Sequence, residues 1–366
     1  MINPPKPTGE YAVGTFTYTV SGERKTSARV YYPVLKESVS GMEKARYMSR
    51  DMTKALKATF HAPMNYDKME AEGENTSECY ADAPRIEGVK FPLVVFSHGL
   101  SSYREGNSFL CIEMASHGYV VLAPGFEGAG VLTEYDDGTS VPFDKVLSKK
   151  MYDPYFKGVF KLMKLMKEKG TDRELAEKFD QYQKEYCKIL INKVFDCEQD
   201  LLSAVAYAKE KLSDLIDFPA GIAVTGHSLG GITAYALCLD HPEFVCGINI
   251  DGASFGDTAG KVLDKPFLQI CCKDNESVET RSLIDHTSTV YKASFKDMKH
   301  AGFADLKFFI PVKAISGKLP ADVLHENECI CFLEFLDAYL KKIKDKPSFV
   351  SNDHVTYTEY APDVSD

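Results

Sequence analysis

No stretch of this chain approaches the ~20 apolar residues that a membrane-spanning helix needs, so no span is expected. There is no basic excess either. The 53 acidic residues outnumber the 43 basic ones, for a net charge of -10, and bulk nucleic-acid binding, which works by displacing counterions from a basic face, is not expected. The first seven residues, MINPPKP, lack a charged start followed by an apolar core, so no secretory signal is read there, and Ile2 excludes the N-myristoylation pattern. The ten cysteines contain no C-x-x-C pair, and Cys271/Cys272 and Cys329/Cys331 are too close for ordinary disulfides within each pair. Reduced, mostly buried thiols and a cytoplasmic protein are expected, with no metal and no cofactor. Two N-x-S sequons, at Asn75 and Asn275, weigh weakly the other way.

What the chain does have is an alternation of strand and helix patterns. Residues 11–19 and 28–33 alternate apolar and polar, as a half-buried antiparallel pair does. Short continuous apolar runs at 91–96 (FPLVVF), 119–123 (YVVLA), 221–225, 245–250, 267–271 and around 289–295 read as buried parallel strands. Helical spacing falls between them at 107–116, 195–212 and 229–239, and a last amphipathic helix is expected over about 321–342. Two insertions break the pattern, one charged and Met-rich at about 34–90, the other mostly helical at about 125–190. The expected fold class is α/β: a mostly parallel, doubly wound sheet with helical insertions, in one domain over 1–346. Residues 347–366 read as a polar, acidic tail.

Gly226-His227-Ser228-Leu229-Gly230 fits G-x-S-x-G between a buried strand and a helix. That is the strand–turn–helix of the α/β-hydrolase fold, in which the serine is the nucleophile and the glycines admit close neighbours. A serine hydroxyl is weak at neutral pH and needs a base plus a group to orient it, in the chain order Ser, acid, His. His300, just past the strand at 289–295, is the candidate base, ahead of His286 in a polar stretch. Asp251 and Asp274 both lie at strand ends and are both candidate acids. The oxyanion of a tetrahedral intermediate needs backbone donors. The N–H of Leu229 is one candidate, and the loop FSHGL at 96–100 supplies the other, with His98 read as packing and hydrogen-bonding that loop.

These runs occur in an order that resembles a known family. FPLVVFSHGL at 91–100, MASHGY at 114–119, GHSLGG at 226–231, CGINID at 246–251 and HAGFAD at 300–305 are similar to the platelet-activating factor acetylhydrolases, as are PTG at 7–9 and VYYP at 30–33. The resemblance implies an α/β-hydrolase with Ser228 as nucleophile, Asp251 as acid and His300 as base, and oxyanion donors from Leu100 and Leu229. It also implies calcium-independent hydrolysis of the sn-2 acetyl or short or oxidised acyl ester of phospholipids, through an acyl-enzyme. The chain departs from the family pattern at PGFEG (124–128), at Leu229 and in the Gly-Ala after Asp251, all near the expected pocket. Alternatives are a general short-chain carboxylesterase, a dienelactone or polyester hydrolase relative, or a non-catalytic binding scaffold.

Two inserted stretches mix apolar and basic residues and are candidate sites of transient membrane-surface contact: 42–60, and 156–169 with Phe156, Phe160, Met163 and Met166 among Lys157, Lys161, Lys164 and Lys167.

Overall fold

The structure is a computed structural model that describes residues 4–22, 24–61, 64–146, 149–150, 154, 157–309 and 312–362. Its strands are β1 (Ala12–Val20), β2 (Thr26–Val34), β3 (Lys44–Arg46), β4 (Thr76–Ala81), β5 (Leu93–Ser97), β6 (Val120–Gly125), β7 (Leu132–Glu134), β8 (Ser140–Pro142), β9 (Ile222–His227), β10 (Phe244–Ile250), β11 (Phe267–Cys272), β12 (Val290–Phe295) and β13 (Val355–Tyr360). All but the β7–β8 hairpin join one 11-stranded sheet, in the order β13-β12-β11-β10-β9-β5-β6-β2-β1-β4-β3. From β6 to β12 the neighbours run parallel, while β2 pairs antiparallel to β6 and β13 antiparallel to β12.

The central strands are apolar on both faces because both faces are covered. In β5, Leu93 and Val95 pack on one side with Leu201, Val205 and Leu237, from the helices Lys188–Lys211 and Leu229–Asp240. Val94 and Phe96 point the other way, toward Leu110 and Met114 of the helix Ser108–Ser116 and Phe332 and Leu336 of the helix Ala321–Tyr339. A two-residue side-chain period between two helical layers makes the continuous runs obligatory. After β5 the chain steps to β6 on one side and returns to β9 on the other. A crevice opens at the carboxyl ends of strands where the winding reverses, and that is where ligands bind in such sheets.

Three expectations differ from the structure. Residues 34–90 do not merely interrupt the strand pattern: β3 and β4 extend the sheet beyond β1, and the helix Arg50–Phe60 buries Met52 and Leu56. The second insertion opens with the β7–β8 hairpin before its helices Val159–Leu165 and Asp172–Tyr186, the latter started by a reciprocal Thr171/Glu174 cap. Residues after 346 are not simply a polar tail. Val355, fully buried, anchors β13 along the free edge of β12, and Phe349 stacks on Tyr357 with ring centroids 4.7 Å apart.

Candidate active site

Strand β9 is buried along its whole length and runs directly into Ser228, after which the helix Leu229–Asp240 leaves. Ser228 has φ 57° and ψ −120°, a conformation that costs a side-chain-bearing residue free energy and persists only when its surroundings hold it. Its N–H donates to the Ile250 carbonyl at 2.8 Å. The flanking glycines are steric necessities: a Cβ on Gly230 would lie 2.0 Å from the Ser97 carbonyl oxygen, and one on Gly226 2.4 Å from Gly230 itself. The helix can therefore press against the end of β5, and the serine is pushed outward.

The structure brings three of the singled-out side chains into one line. His300 begins a short turn, His300–Phe303, past the end of β12, and its Nε2 lies 2.9 Å from Ser228 Oγ. Its Nδ1 lies 2.7 Å from Asp251 Oδ2. Asp251, just past β10, is 1% exposed and also accepts from the Cys272 N–H at 2.5 Å and from Asn275 Nδ2 at 2.7 Å. Burial alone would push its carboxyl up, but the hydrogen bonds from His300 and Cys272 outweigh it and hold the group below its ordinary value. With Nδ1–H donated to Asp251, the Nε2 lone pair faces the hydroxyl, so the arrangement can take a proton from Ser228 and stabilise the resulting imidazolium.

Asp274 and His286 do not join this line. Asp274 is exposed and ion-paired to Lys299, whereas His286 Nδ1 bonds to the Ser288 carbonyl at 2.8 Å. His98 is buried, with Nδ1 on the Gly99 carbonyl at 2.8 Å and Nε2 accepting from the Phe126 N–H at 3.3 Å. Burial holds it down at about 4, so it stays neutral and ties the loop after β5 to the chain after β6.

Sequence reasoning missed two supports of the site. His227, within the G-x-S-x-G, is buried and held at about 3, mainly by desolvation, and its Nε2–H donates to the His300 carbonyl at 3.1 Å. The side-chain amide of Asn275, a sequon position, supports Asp251. The amide of Asn75 is likewise engaged, with the Met48 carbonyl at 2.9 Å and Glu70 at 2.8 Å. Nothing in local pattern points to either role, because both depend on which loops meet above the sheet.

Ser228 and His300 open onto an apolar cavity of about 420 Å³, walled by Leu162, Met166, Leu190, Ile232, Phe255 and Val278. Leu100 and Leu229 line it too, beside Ser228. All ten cysteines are buried and free. Among the described residues no helix is long and apolar enough to cross a membrane, and no cluster of His, Cys, Asp or Glu could hold a metal ion.

A mostly parallel, doubly wound sheet with a strained serine between strand and helix is the architecture of the α/β-hydrolases. A ferulic acid esterase from Streptomyces cinnamoneus shares the fold, with a TM-score of 0.67 at 19% identity over 97% of this chain and 98% of that one. The chain belongs to the family of platelet-activating factor acetylhydrolase, isoform II, which matches residues 2–345. It is 29% identical over 260 residues, 68% of its length, to the platelet-activating factor acetylhydrolase of Canis lupus familiaris, a match spanning 54% of that protein. It is 24% identical over 368 residues to that of Cavia porcellus, covering 92% of this chain and 78% of the relative.

Proposed function

We propose that this chain is a serine esterase that removes the sn-2 acetyl, or short or oxidised acyl, group of phospholipids. The observation that carries the reading is the hydrogen-bonded line Asp251–His300–Ser228, at 2.7 and 2.9 Å, opening on an apolar cavity larger than an acetyl group fills. Family membership supports the ester class. Ser228 Oγ attacks the ester carbonyl as its proton passes to His300 Nε2, and Asp251 stabilises the imidazolium. The backbone N–H groups of Leu100 and Leu229 receive the oxyanion. Collapse releases the lysophospholipid alcohol, which takes the proton from His300, and leaves the acyl group on Ser228. A water deprotonated by His300 then frees the acid and restores the hydroxyl. The family departures bear on the acyl group accepted: Phe126 and Leu229 share an apolar cluster with Ile232, which lines the cavity.

The lipid would be met at the membrane surface by the second insertion. In the helix Val159–Leu165, Leu162 and Leu165 are buried and Leu162 walls the cavity, while Phe160 is 83% and Met163 49% exposed among the exposed lysines 157, 164 and 167. Met166 thus belongs to the cavity wall, not to the outer face, and Phe156 lies outside the described residues. Residues 42–60 are a poorer candidate, because Lys44, Arg46, Arg50 and Lys54 are paired with carboxylates and Met48, Met52 and Leu56 are buried.

Replacing Ser228 with Ala should cost roughly 10⁴-fold or more in kcat with the fold intact. Retention of a tenth of wild-type hydrolysis would exclude Ser228 as nucleophile. Wild-type rates over a matrix of acyl lengths, with and without a phosphocholine head group and with excess chelator, separate a phospholipid-directed, calcium-independent esterase from a general one.

A further inference from the structure

Behind the acid lies a second buried carboxyl for which the reaction above has no use. Glu279, in the loop after β11, is 1% exposed. Its Oε2 accepts from Gln269 Nε2 at 2.8 Å, but its Oε1, fully buried, finds no donor among the described residues. What Glu279 meets instead is Asp251, within side-chain hydrogen-bonding reach.

The surrounding network admits one polarity. Asn249 Oδ1 accepts the Gly252 N–H at 3.0 Å, so its amide nitrogen points to the Gly252 carbonyl at 2.9 Å and to Gln269 Oε1 at 3.0 Å. Ser282 Oγ donates to the same Gln269 oxygen at 3.1 Å. Gln269 Oε1 is therefore fully used as an acceptor, and its amide nitrogen must face Glu279. Glu279 is left with one buried oxygen that no described donor reaches, and with the Asp251 carboxylate as its neighbour in a dry interior. Two carboxylates in contact there cannot both be ionised, whereas one shared proton satisfies both. Asp251 takes donors from His300, Cys272 and Asn275, while Glu279 has, among the described residues, only Gln269, so the charge settles on Asp251 and the proton on Glu279. Burial, then the adjacent Asp251 and Glu276 charges, push the Glu279 carboxyl well above its ordinary range.

We propose that Glu279 is a positioning residue, a neutral carboxylic acid that donates its O–H to Asp251 and holds that carboxylate in register with His300. This rests on the Ser228–His300–Asp251 reading given above. The structure adds a fourth member behind the acid and a fifth, Gln269, that orients the fourth.

Glutamine is the isostere of the protonated acid, accepting from Gln269 and donating to Asp251, and methionine fills the volume without a donor. With E279Q and E279M purified, the infrared difference spectrum of wild type minus E279Q at neutral pH should contain one protonated-carboxyl C=O band. On a water-soluble acetyl ester, E279Q should keep kcat within about threefold, and E279M should lose roughly tenfold in kcat with KM unchanged, the effect of removing a donor to a charged group. Absence of the band, an E279Q as slow as E279M, or an E279M with wild-type kcat each overturns the proposal. The band decides alone if E279M does not fold. Labelling of wild type by a fluorophosphonate and its loss in Ser228→Ala test the site reading separately, so failure there is not mistaken for failure of Glu279.

Discussion

Asp251 and Asp274 stand 23 positions apart in sequence, each just past a strand, and differ in everything their surroundings impose. Asp251 sits at φ 51°, with its N–H on the Ile270 carbonyl at 2.7 Å and its carboxylate enclosed by donors. Asp274 is open to water and shares a surface ion pair with Lys299, an interaction worth about 0–1 kcal/mol. Asp251→Asn should therefore reduce kcat on the order of 10⁴-fold, because an amide neither holds the imidazole tautomer nor stabilises its charged form. Asp274→Asn should leave kcat roughly unchanged. Steady-state rates of the two variants on a soluble ester check the ranking, and the reverse order would move the acid to the next strand. Sequence order alone could not separate these two residues. The decision lies in the loop geometry that brings Asn275 and Cys272 to one carboxylate and Lys299 to the other.

At the scale of elements, helical spacing in 156–169 was legible but its faces were not. Leu162 and Leu165 turn inward because the cavity and the helix Asp172–Tyr186 lie on that side, and Phe160 and Met163 are left outward. Charge reversal at Lys157, Lys164 and Lys167 should weaken sedimentation with anionic vesicles and slow hydrolysis of vesicle lipid, while sparing a water-soluble acetyl ester. Unchanged binding and rates would make this helix only a wall of the cavity. Strand β13 invites a different test. Ending the chain after residue 346 removes the buried Val355 and the Phe349–Tyr357 stack and leaves β12 as a bare edge. The loss should be on the order of 3 kcal/mol, read as a lower urea midpoint, with aggregation through the exposed edge. Its sequence, VTYTEY, carries strand propensity that a polar, acidic setting masked.

For the whole molecule, two buried neutral histidines make the fold sensitive to acid. His98 and His227 are held at about 4 and about 3 against an ordinary 6.5. The unfolded chain binds their protons first, so stability is complete above pH 6.5 and falls as pH drops, by up to about 1.4 kcal/mol per pH unit for each histidine. His98→Gln, although less stable at neutral pH, should lose stability less steeply between neutral pH and pH about 4, as followed by urea midpoints. An unaltered slope would mean that His98 is charged in the fold. The sequence by itself determined the alternating elements, the strand–turn–helix around Ser228 and the chain order of serine, acid and histidine, because each is written in a local period or spacing, and it left Asp251 and Asp274 both open as the acid. Tertiary structure decided what no local period contains. It put the carboxyl ends of β5, β9, β10 and β12 at one crevice, turned Leu162 and Met166 into a cavity wall, drew residues 355–360 onto the sheet edge, and set Glu279 behind Asp251. Those placements follow from strand order and from the burial of polar groups that had to find partners across long sequence separations.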